Sequence, residues 1–424
     1  MNNSFHPLSA LIANITEKFT GIKDPNKPYI GLEHIQSGDS KLCALGSAAD
    51  SISTNNMFRA GDSLFGKLRP QLRKCVQVHF DGYCSTDILV LRAIGEANPE
   101  FAAKVLQSDS VFREAIRTEE GTKMPRTSWQ AIRDVEVFSP EPSLQYKIAK
   151  ILTTLDNLIE KTENLIAKYQ AIKQGMMHDL FTRGVDKHGQ LRPTQVEAPR
   201  LYKNEPPFGW IPNDWCKERV GDQLDRIEQG WSPDCDSEPA SAGEWGVLKT
   251  TAVVWDGYSS QENKRLPVGL RPIPQCEIRQ HDVLMTRGGP NSRVGVVAIV
   301  RLTRDKLMLS DKIYRLVPKP RILPAFLAYV LSSEGPQAHL STLKTGLAES
   351  QTNISQAIVR QLWIALPDRD EQQRICERIE SIERSLSAER INLAKQRLQK
   401  SGLMQDLLTG KVSVKLDESE EVVP

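Results

Sequence analysis

Short runs of basic and amide side chains are the residues of this chain best placed to do chemistry. The stretch FGKLRPQLRK (65–74) puts Lys67, Arg69, Arg73 and Lys74 close together, and GTKMPRTSW adds Lys123 and Arg126. Further along, Arg287 and Arg293 flank the glycine turn of TRGGPNSR, and Lys344 stands in LKTGLAESQTN with Gln351 and Asn353. Arg and Lys pair with phosphates or guanine edges, and the amides of Asn and Gln match adenine. The chemistry on offer is non-covalent reading of a DNA duplex. One such residue alone is more often ordinary loop surface, whereas the 65–74 cluster as a whole points to binding.

Reaction motifs are broken or missing. Gly61-x-x-x-x-Gly66-Lys67 begins like a phosphate-binding loop, but Leu68 follows where a magnesium-holding hydroxyl is needed. Pro233-Asp234 with Glu262-x-Lys264 resembles a metal-dependent nuclease core only superficially, and the other half of the chain has no counterpart. The seven histidines form no HxxxH or HExxH pair. There is no GxSxG elbow, and no Asn-Pro-Pro-aromatic or Asp-Pro-Pro-aromatic tetrapeptide of a base methyltransferase. Catalytic residues and metal ligands are therefore expected to be none, and any catalysis belongs to a partner.

The 424 residues suffice for two or three domains, and the 39% hydrophobic and 25% charged fractions are those of a globular protein. A formal charge of +2 means that nucleic-acid binding rests on local patches. Apolar runs such as VGVVAIV are too short to span a bilayer, and the opening residues show no secretory signal. Seven cysteines without a CxxC pair point to a cytoplasmic protein, with no disulfide framework and no membrane association.

The elements that must position these residues are duplicated. Residues 145–185 and 372–412 align without a gap at a constant offset, from Gln145 to Gln372. Identical pairs include Gln145/Gln372, Ile148/Ile375, Lys173/Lys400, Gly175/Gly402, Asp179/Asp406 and Leu180/Leu407. Upstream, Arg59-x-x-Asp62-x-Leu64 echoes Arg279-x-x-Asp282-x-Leu284, and Ser85-Thr86-Asp87 echoes Leu309-Ser310-Asp311. Each half is thus a divergent domain followed by a well-preserved helix.

In the first helix Ile148, Leu155 and Thr162 fall seven apart, with Leu152, Ile159 and Ile166 on the companion position. The second repeats this with Ile375, Ile382 and Glu389, beside Ile379, Leu386 and Leu393. This predicts a coiled coil with a polar centre; the alternative is two amphipathic helices, each packed on its own domain. A duplicated chain can pack as a pseudo-dimer, which would make the helices antiparallel, about 57 Å long at ~1.5 Å per residue, with one domain at each end.

The fold class expected is α+β: two divergent domains separated by two long helices in an antiparallel coiled coil, with a pseudo-two-fold internal repeat. The boundaries are 1–143 for the first domain, 144–184 for its helix and 185–214 for a proline-rich linker. The second domain covers 215–369, its helix 370–412 and an unstructured acidic tail 413–424. Strands are expected at Lys74–Phe80, Ile88–Arg92, Val135–Phe138, Val294–Arg301 and Ile313–Val317, and helices near Glu100–Arg117 and Pro324–Leu340.

This plan resembles the specificity subunit of type I restriction–modification enzymes. The matching stretches are FRAGDSLFGKLRPQLRK, VEVFSPEPSLQYKIAKIL with IALPDRDEQQRICERI, and the helix ends MMHDLFTRGV and LMQDLLTGKV. PPFGWIPNDWCKERVGD is similar to the family's usual opening of a target-recognition domain, an opening the first domain lacks. The resemblance implies that each domain reads half of a bipartite, asymmetric site in double-stranded DNA and that the helices set the spacer. It further implies docking of two methyltransferase subunits, which use S-adenosylmethionine, and two ATP- and Mg-dependent translocase–nuclease subunits. No cofactor is implied for this chain. A stand-alone DNA-binding or architectural protein is the other reading, separated by whether a methyltransferase co-purifies.

Overall fold

The computed structural model describes residues 4–21, 24, 26–48, 54–235, 237–344 and 352–415. The chain folds into two compact units, Met1–Leu165 with Glu389–Pro424 (unit 1) and Ile166–Ala388 (unit 2). Both are mixtures of small sheets and helices. Among the described residues no helix is long and apolar enough to cross a membrane.

Unit 1 is built on an antiparallel sheet of β1 (Ile12–Ile15), β2 (Ser63–Gly66), β3 (Cys75–Gln77) and β4 (Ile88–Ala93), in the order β1-β4-β2-β3. It continues through α1 (Pro99–Leu106) to the long helix α2 (Pro142–Thr182). Unit 2 repeats the plan with β5 (Leu224–Gln229), β6 (Val283–Thr286), β7 (Val297–Ile299) and β8 (Ile313–Pro318), in the order β5-β8-β6-β7. There α3 (Pro324–Ser332) precedes the second long helix, α4 (Arg369–Leu407). The single helices expected near Glu100–Arg117 and Pro324–Leu340 are each two, continuing as Asp109–Arg117 and Glu334–Lys344. One extended serine breaks each, Ser108 (φ −69°, ψ 157°) and Ser333 (φ −76°, ψ 164°), and a single extended residue leaves no trace in apolar periodicity. The 185–214 connection holds the bridge Val185/Leu191, a 3-10 turn and the hairpin Tyr202–Asn204/Trp210–Pro212, with no long helix or strand among its prolines.

The sequence echoes are hydrogen-bonded devices made twice. The buried side chain of Gln145 donates to Pro140 O (2.8 Å) and accepts from Asn98 N (2.9 Å) at the start of α1. Gln372 repeats both bonds, to Pro367 O (3.1 Å) and from Leu323 N (2.9 Å) before α3. Asp62 closes its turn by accepting Arg59 N (2.8 Å) and meets Arg92 of β4 (2.7 Å). Asp282 accepts Arg279 N (2.8 Å) and lies 2.9 Å from Arg315 of β8.

In each unit the two long helices run antiparallel. The unit 1 core joins Phe101, Phe112, Ile148 and Leu152 with Leu407 and Leu408, so the start of α2 and the end of α4 share it. The unit 2 core likewise joins Trp215, Phe326, Ile375 and Ile379 with Leu180. Of the heptad positions, Ile148, Leu152, Ile159, Ile375, Ile379 and Leu386 are buried, and Leu155, Ile166, Ile382 and Leu393 are half-buried. The first turns of each helix therefore face their own domain as well as the other helix. Thr162 is buried with its hydroxyl on Leu158 O (3.0 Å), and Glu389 is half-buried.

Polar ties fix the helix register. Lys400 Nζ meets Asp156 at 2.6 Å in unit 1, and Lys173 Nζ meets Glu383 at 2.8 Å in unit 2. Lys173/Lys400 and Asp156/Glu383 are equivalent positions of the repeat, so this is one ion pair made twice. Each carboxylate also reaches its own domain: Asp156 pairs with Lys104 of α1. Glu383 accepts from Tyr329 Oη of α3 (2.7 Å) and from Arg301 Nη2 (2.8 Å). Burial raises the Asp156 pKa, but Lys104 and Lys400 outweigh it and hold the carboxyl below its usual range.

Lys400→Met leaves Asp156 one cation instead of two. Urea unfolding at pH 7 is expected to show a destabilisation of about 1–2 kcal/mol, between the values for exposed and buried pairs. Because the Asp156 pKa is depressed, its contribution is full above the ordinary carboxylate range and disappears as pH falls through the depressed value. The gap between wild type and variant should therefore close as pH falls well below the ordinary carboxylate range. An unchanged gap at acid pH means the ion pair is not its source.

Candidate nucleic-acid interface

In unit 1, backbone bonds at the end of β2 hold two basic segments side by side. Lys67 N donates to Asp87 O (2.9 Å), Thr127 N to Lys67 O (3.0 Å) and Arg69 N to Pro125 O (2.8 Å). Leu68 and Arg126 are bridge partners. Arg69 and Arg73 flank the 3-10 turn Pro70–Leu72 in left-handed conformations, φ 52° and 51°. Such backbone costs a non-glycine residue roughly 1 kcal/mol or more and concentrates where function demands it.

The basic side chains differ in what they touch. Arg126 is exposed and paired side-on with Asp87, from Nε at 2.9 Å and from Nη2 at 3.1 Å. That hydrogen bond is the main cause holding the Asp87 carboxyl below its usual pKa. Burial pushes the Lys67 ammonium down, with Asp87 opposing. Arg69 and Lys123 are exposed and make no ion pair among the described residues. Arg73 pairs with Asp109 (2.6 Å) and lies over the Phe112 ring, and Lys74 donates to Leu32 O (2.5 Å). Lys67, Arg69 and Arg126 thus gather at one edge, while Arg73 and Lys74 are engaged by the domain itself.

Unit 2 has the corresponding edge at the end of β6. Arg287 N donates to Lys312 O (2.8 Å) and Ile354 N to Arg287 O (2.9 Å). Gly288 and Gly289 pair with Asn353 and Thr352. Arg287 lies over the Tyr314 ring, and the Tyr314 hydroxyl donates to Ile354 O (3.1 Å). A Cβ at Gly288 would sit 2.5 Å from Asn353 Oδ1, so only glycine lets that amide lie against the strand. Lys344 Nζ donates to Val294 O (3.0 Å), and burial lowers its pKa. Arg293 is half-buried in the adjoining 3-10 turn, and Asn353 is exposed. Gln351 lies outside the described residues, as does the acidic tail beyond 415.

These bonds align the two edges: Lys67 with Arg287, Leu68 with Gly288, Arg126 with Asn353, and Thr127 with Ile354. They also shift one sequence echo. Ile88 N donates to Ser85 O and Ile313 N to Ser310 O, so Ser85 matches Ser310 and Asp87 matches Lys312, not Asp311. Apparent identity misled here because the preceding loops differ in length. Sequence reading also missed Asp87 and Tyr314, the groups that orient Arg126 and Arg287. Of the reaction motifs weighed, Ser63–Gly66 within the loop-like Gly61–Lys67 run is strand β2 and forms no phosphate cradle. Glu262 accepts the Thr251 hydroxyl, and among the described residues no cluster of three metal-ligating side chains occurs.

Comparison with known proteins accounts for this duplicated plan. A family model described as the type I restriction modification DNA specificity domain matches residues 256–396. The EcoEI specificity subunit of Escherichia coli is 41% identical over 200 residues, covering 46% of this chain and 33% of that protein. The MjaVIII specificity subunit of Methanocaldococcus jannaschii is 27% identical over 304 residues, 70% of this chain and 66% of that protein. The chain thus spans from 33% to 66% of these curated relatives. The crystal structure of a type I restriction–modification S subunit from M. genitalium superposes with a TM-score of 0.61 at 13% identity, over 96% of this chain and 97% of the other. A chain from a study of type I R-M complex assembly and conformational transition gives 0.53 at 19% identity, over 96% and 98%; at these identities both attest the fold. The chain is therefore similar in fold, and over part of its length in sequence, to type I restriction–modification specificity subunits.

Proposed function

We propose that the chain is the sequence-reading subunit of a type I complex, in which residues 1–143 and 215–369 are target-recognition domains that each read half of a bipartite DNA site. The observation that carries this reading is the same edge built twice with different side chains: Lys67 and Arg126 in one unit, Arg287 and Asn353 in the other. Chemistry repeated in both units would keep the same polar groups in both, whereas two readers of different sequences need the same frame with different tips. The continuous helices α2 and α4 set the spacing between half-sites and dock two methyltransferase subunits. Those subunits and two translocase–nuclease subunits supply the S-adenosylmethionine, ATP and Mg chemistry. This chain contributes recognition and no catalytic group.

The helices offer a surface for docking. Ile391 (69% exposed) and Leu398 (75%) fall seven apart on α4. With Asp156 opposite Lys400, exposed Leu158 of α2 falls opposite Leu398. Exposed apolar groups gathered in this way mark protein interaction surfaces. Ile391→Asp with Leu398→Asp is expected to abolish co-purification with co-expressed methyltransferase subunits and leave the circular dichroism spectrum unchanged. Continued co-purification would place the docking surface elsewhere.

Methylation mapping in cells expressing the chain with its methyltransferase tests the reading directly. Exchanging residues 1–140 for another such domain should change one half-site and leave the other as it was. Two half-sites changing together would overturn the two-reader assignment. Replacing Lys67 and Arg69 with Ala should weaken DNA binding and flatten its salt dependence by roughly 0.9 log units of slope for each phosphate no longer neutralised. An unaltered slope would remove these residues from the interface.

A further inference from the structure

We infer that the position held by Arg126 in unit 1 and Asn353 in unit 2 reads a base in each half-site, guanine through Arg126 and adenine through Asn353, with Asp87 as the residue that positions Arg126. The inference rests on the reading of the chain as a DNA-recognition subunit and names what two of its side chains recognise.

The two positions are one place in the fold. Arg126 is bridged to Leu68 and Asn353 to Gly288, each one residue before a backbone bond back to the end of the preceding strand, Thr127 N to Lys67 O and Ile354 N to Arg287 O. Both side chains are exposed on backbone that is fixed from both sides. Base readers need such rigid mounting, because misplacement by an ångström breaks a bidentate pair of bonds.

What surrounds each side chain separates base reading from phosphate binding. Asp87 takes Nε and Nη2 of Arg126 side-on. This leaves the end-on edge, with N–H groups on Nη1 and Nη2, facing away from the carboxylate. Two parallel N–H groups are what guanine O6 and N7 accept. The other bond of this guanidinium among the described residues, Nη1 to Met124 O, is long at 3.4 Å. A carboxylate next to a bound phosphate would repel it, whereas the same carboxylate beside a neutral base edge only locks the rotamer. An arginine kept for phosphate would not be expected to carry Asp87.

In unit 2 the buttress changes with the reader. The position of Asp87 is taken by Lys312, which lies 3.4 Å from the neighbouring Asp311 carboxylate. Asn353 is neutral and needs no counter-charge. Its amide makes no side-chain hydrogen bond among the described residues and lies against Gly288. One donor and one acceptor side by side match adenine N6 and N7. Among the described residues a carboxylate is hydrogen-bonded to the arginine and none to the asparagine, as expected if each position serves a base edge.

The test is selection from a randomised duplex library by the full-length chain, assembled with its co-expressed methyltransferase subunits. Wild type should enrich a bipartite consensus. Arg126→Asn should turn one G·C pair of one half-site into A·T and leave every other position unchanged, and Asn353→Arg should do the reverse in the other half-site. Asp87→Asn should lower discrimination at the Arg126 base pair alone, within the roughly 5- to 150-fold carried by a bidentate pairing. A measurement on unaltered protein guards against variants that fold poorly: 7-deazaguanine, which lacks the N7 acceptor, is placed at each guanine of the unit 1 half-site in turn. One substitution should weaken wild-type binding, and that penalty should vanish in Arg126→Ala. An unchanged consensus, or uniform weakening on all sequences with a reduced salt slope, would make these phosphate or idle residues and overturn the inference while the two-reader function stands. Absence of any bipartite consensus in wild type would overturn the function itself, and the inference with it.

Discussion

One carboxylate in each long helix ties the structure together. Asp156 and Glu383 are each held between a lysine of the antiparallel helix and a polar side chain of the adjoining domain, Lys104 in one case and Tyr329 with Arg301 in the other. A partly buried carboxylate left with too few partners would be costly. The arrangement is therefore satisfied only when both helices and the domain are in place together. A slip of either helix by one residue would strand the charge, so the pair specifies register beyond what the apolar seam requires. Polar groups within a helical seam are best attested in that role.

A second constraint passes this order outward. The buried amides of Gln145 and Gln372 join the first turn of each long helix to the backbone before α1 and α3. Asp62 and Asp282 join the turn before the second sheet strand to an arginine on the neighbouring strand. That strand carries the loop that follows it, so the path from helix to exposed tip runs through saturated polar bonds and closely packed cores. What varies between the units lies at the end of this path, in Lys67 against Arg287 and Arg126 against Asn353.

The near-zero net charge suits this division. Affinity for DNA scales with the number of phosphates neutralised and is insensitive to sequence, whereas bonds to base edges discriminate. If, as proposed, the chain meets DNA as part of a larger assembly, its partners can carry much of the first task. Two of its arginines at the edge are correspondingly paired or stacked: Arg126 on Asp87, Arg287 on Tyr314. Geometry is held at the expense of free positive charge.

Much of this was legible in the sequence. The gapless repeat from Gln145 and Gln372 onward exposed the duplication, the long helices and the shared frame, because periodicity and self-similarity are local properties of the chain. The basic clusters were visible for the same reason. Tertiary structure decided the rest. Which heptad residues face a domain as well as the other helix depends on neighbours far apart in sequence. So does the pairing of Asp87 with Arg126, separated by two helices along the chain. The one-residue shift that sets Asp87 against Lys312 came from loops of unequal length, which only hydrogen bonding between strands could align. Sequence alone therefore determined the plan of two divergent domains on matched helices. The fold determined which side chains at the candidate edge of each unit are exposed and which are tied to neighbours, because exposure and pairing are properties of three-dimensional neighbours.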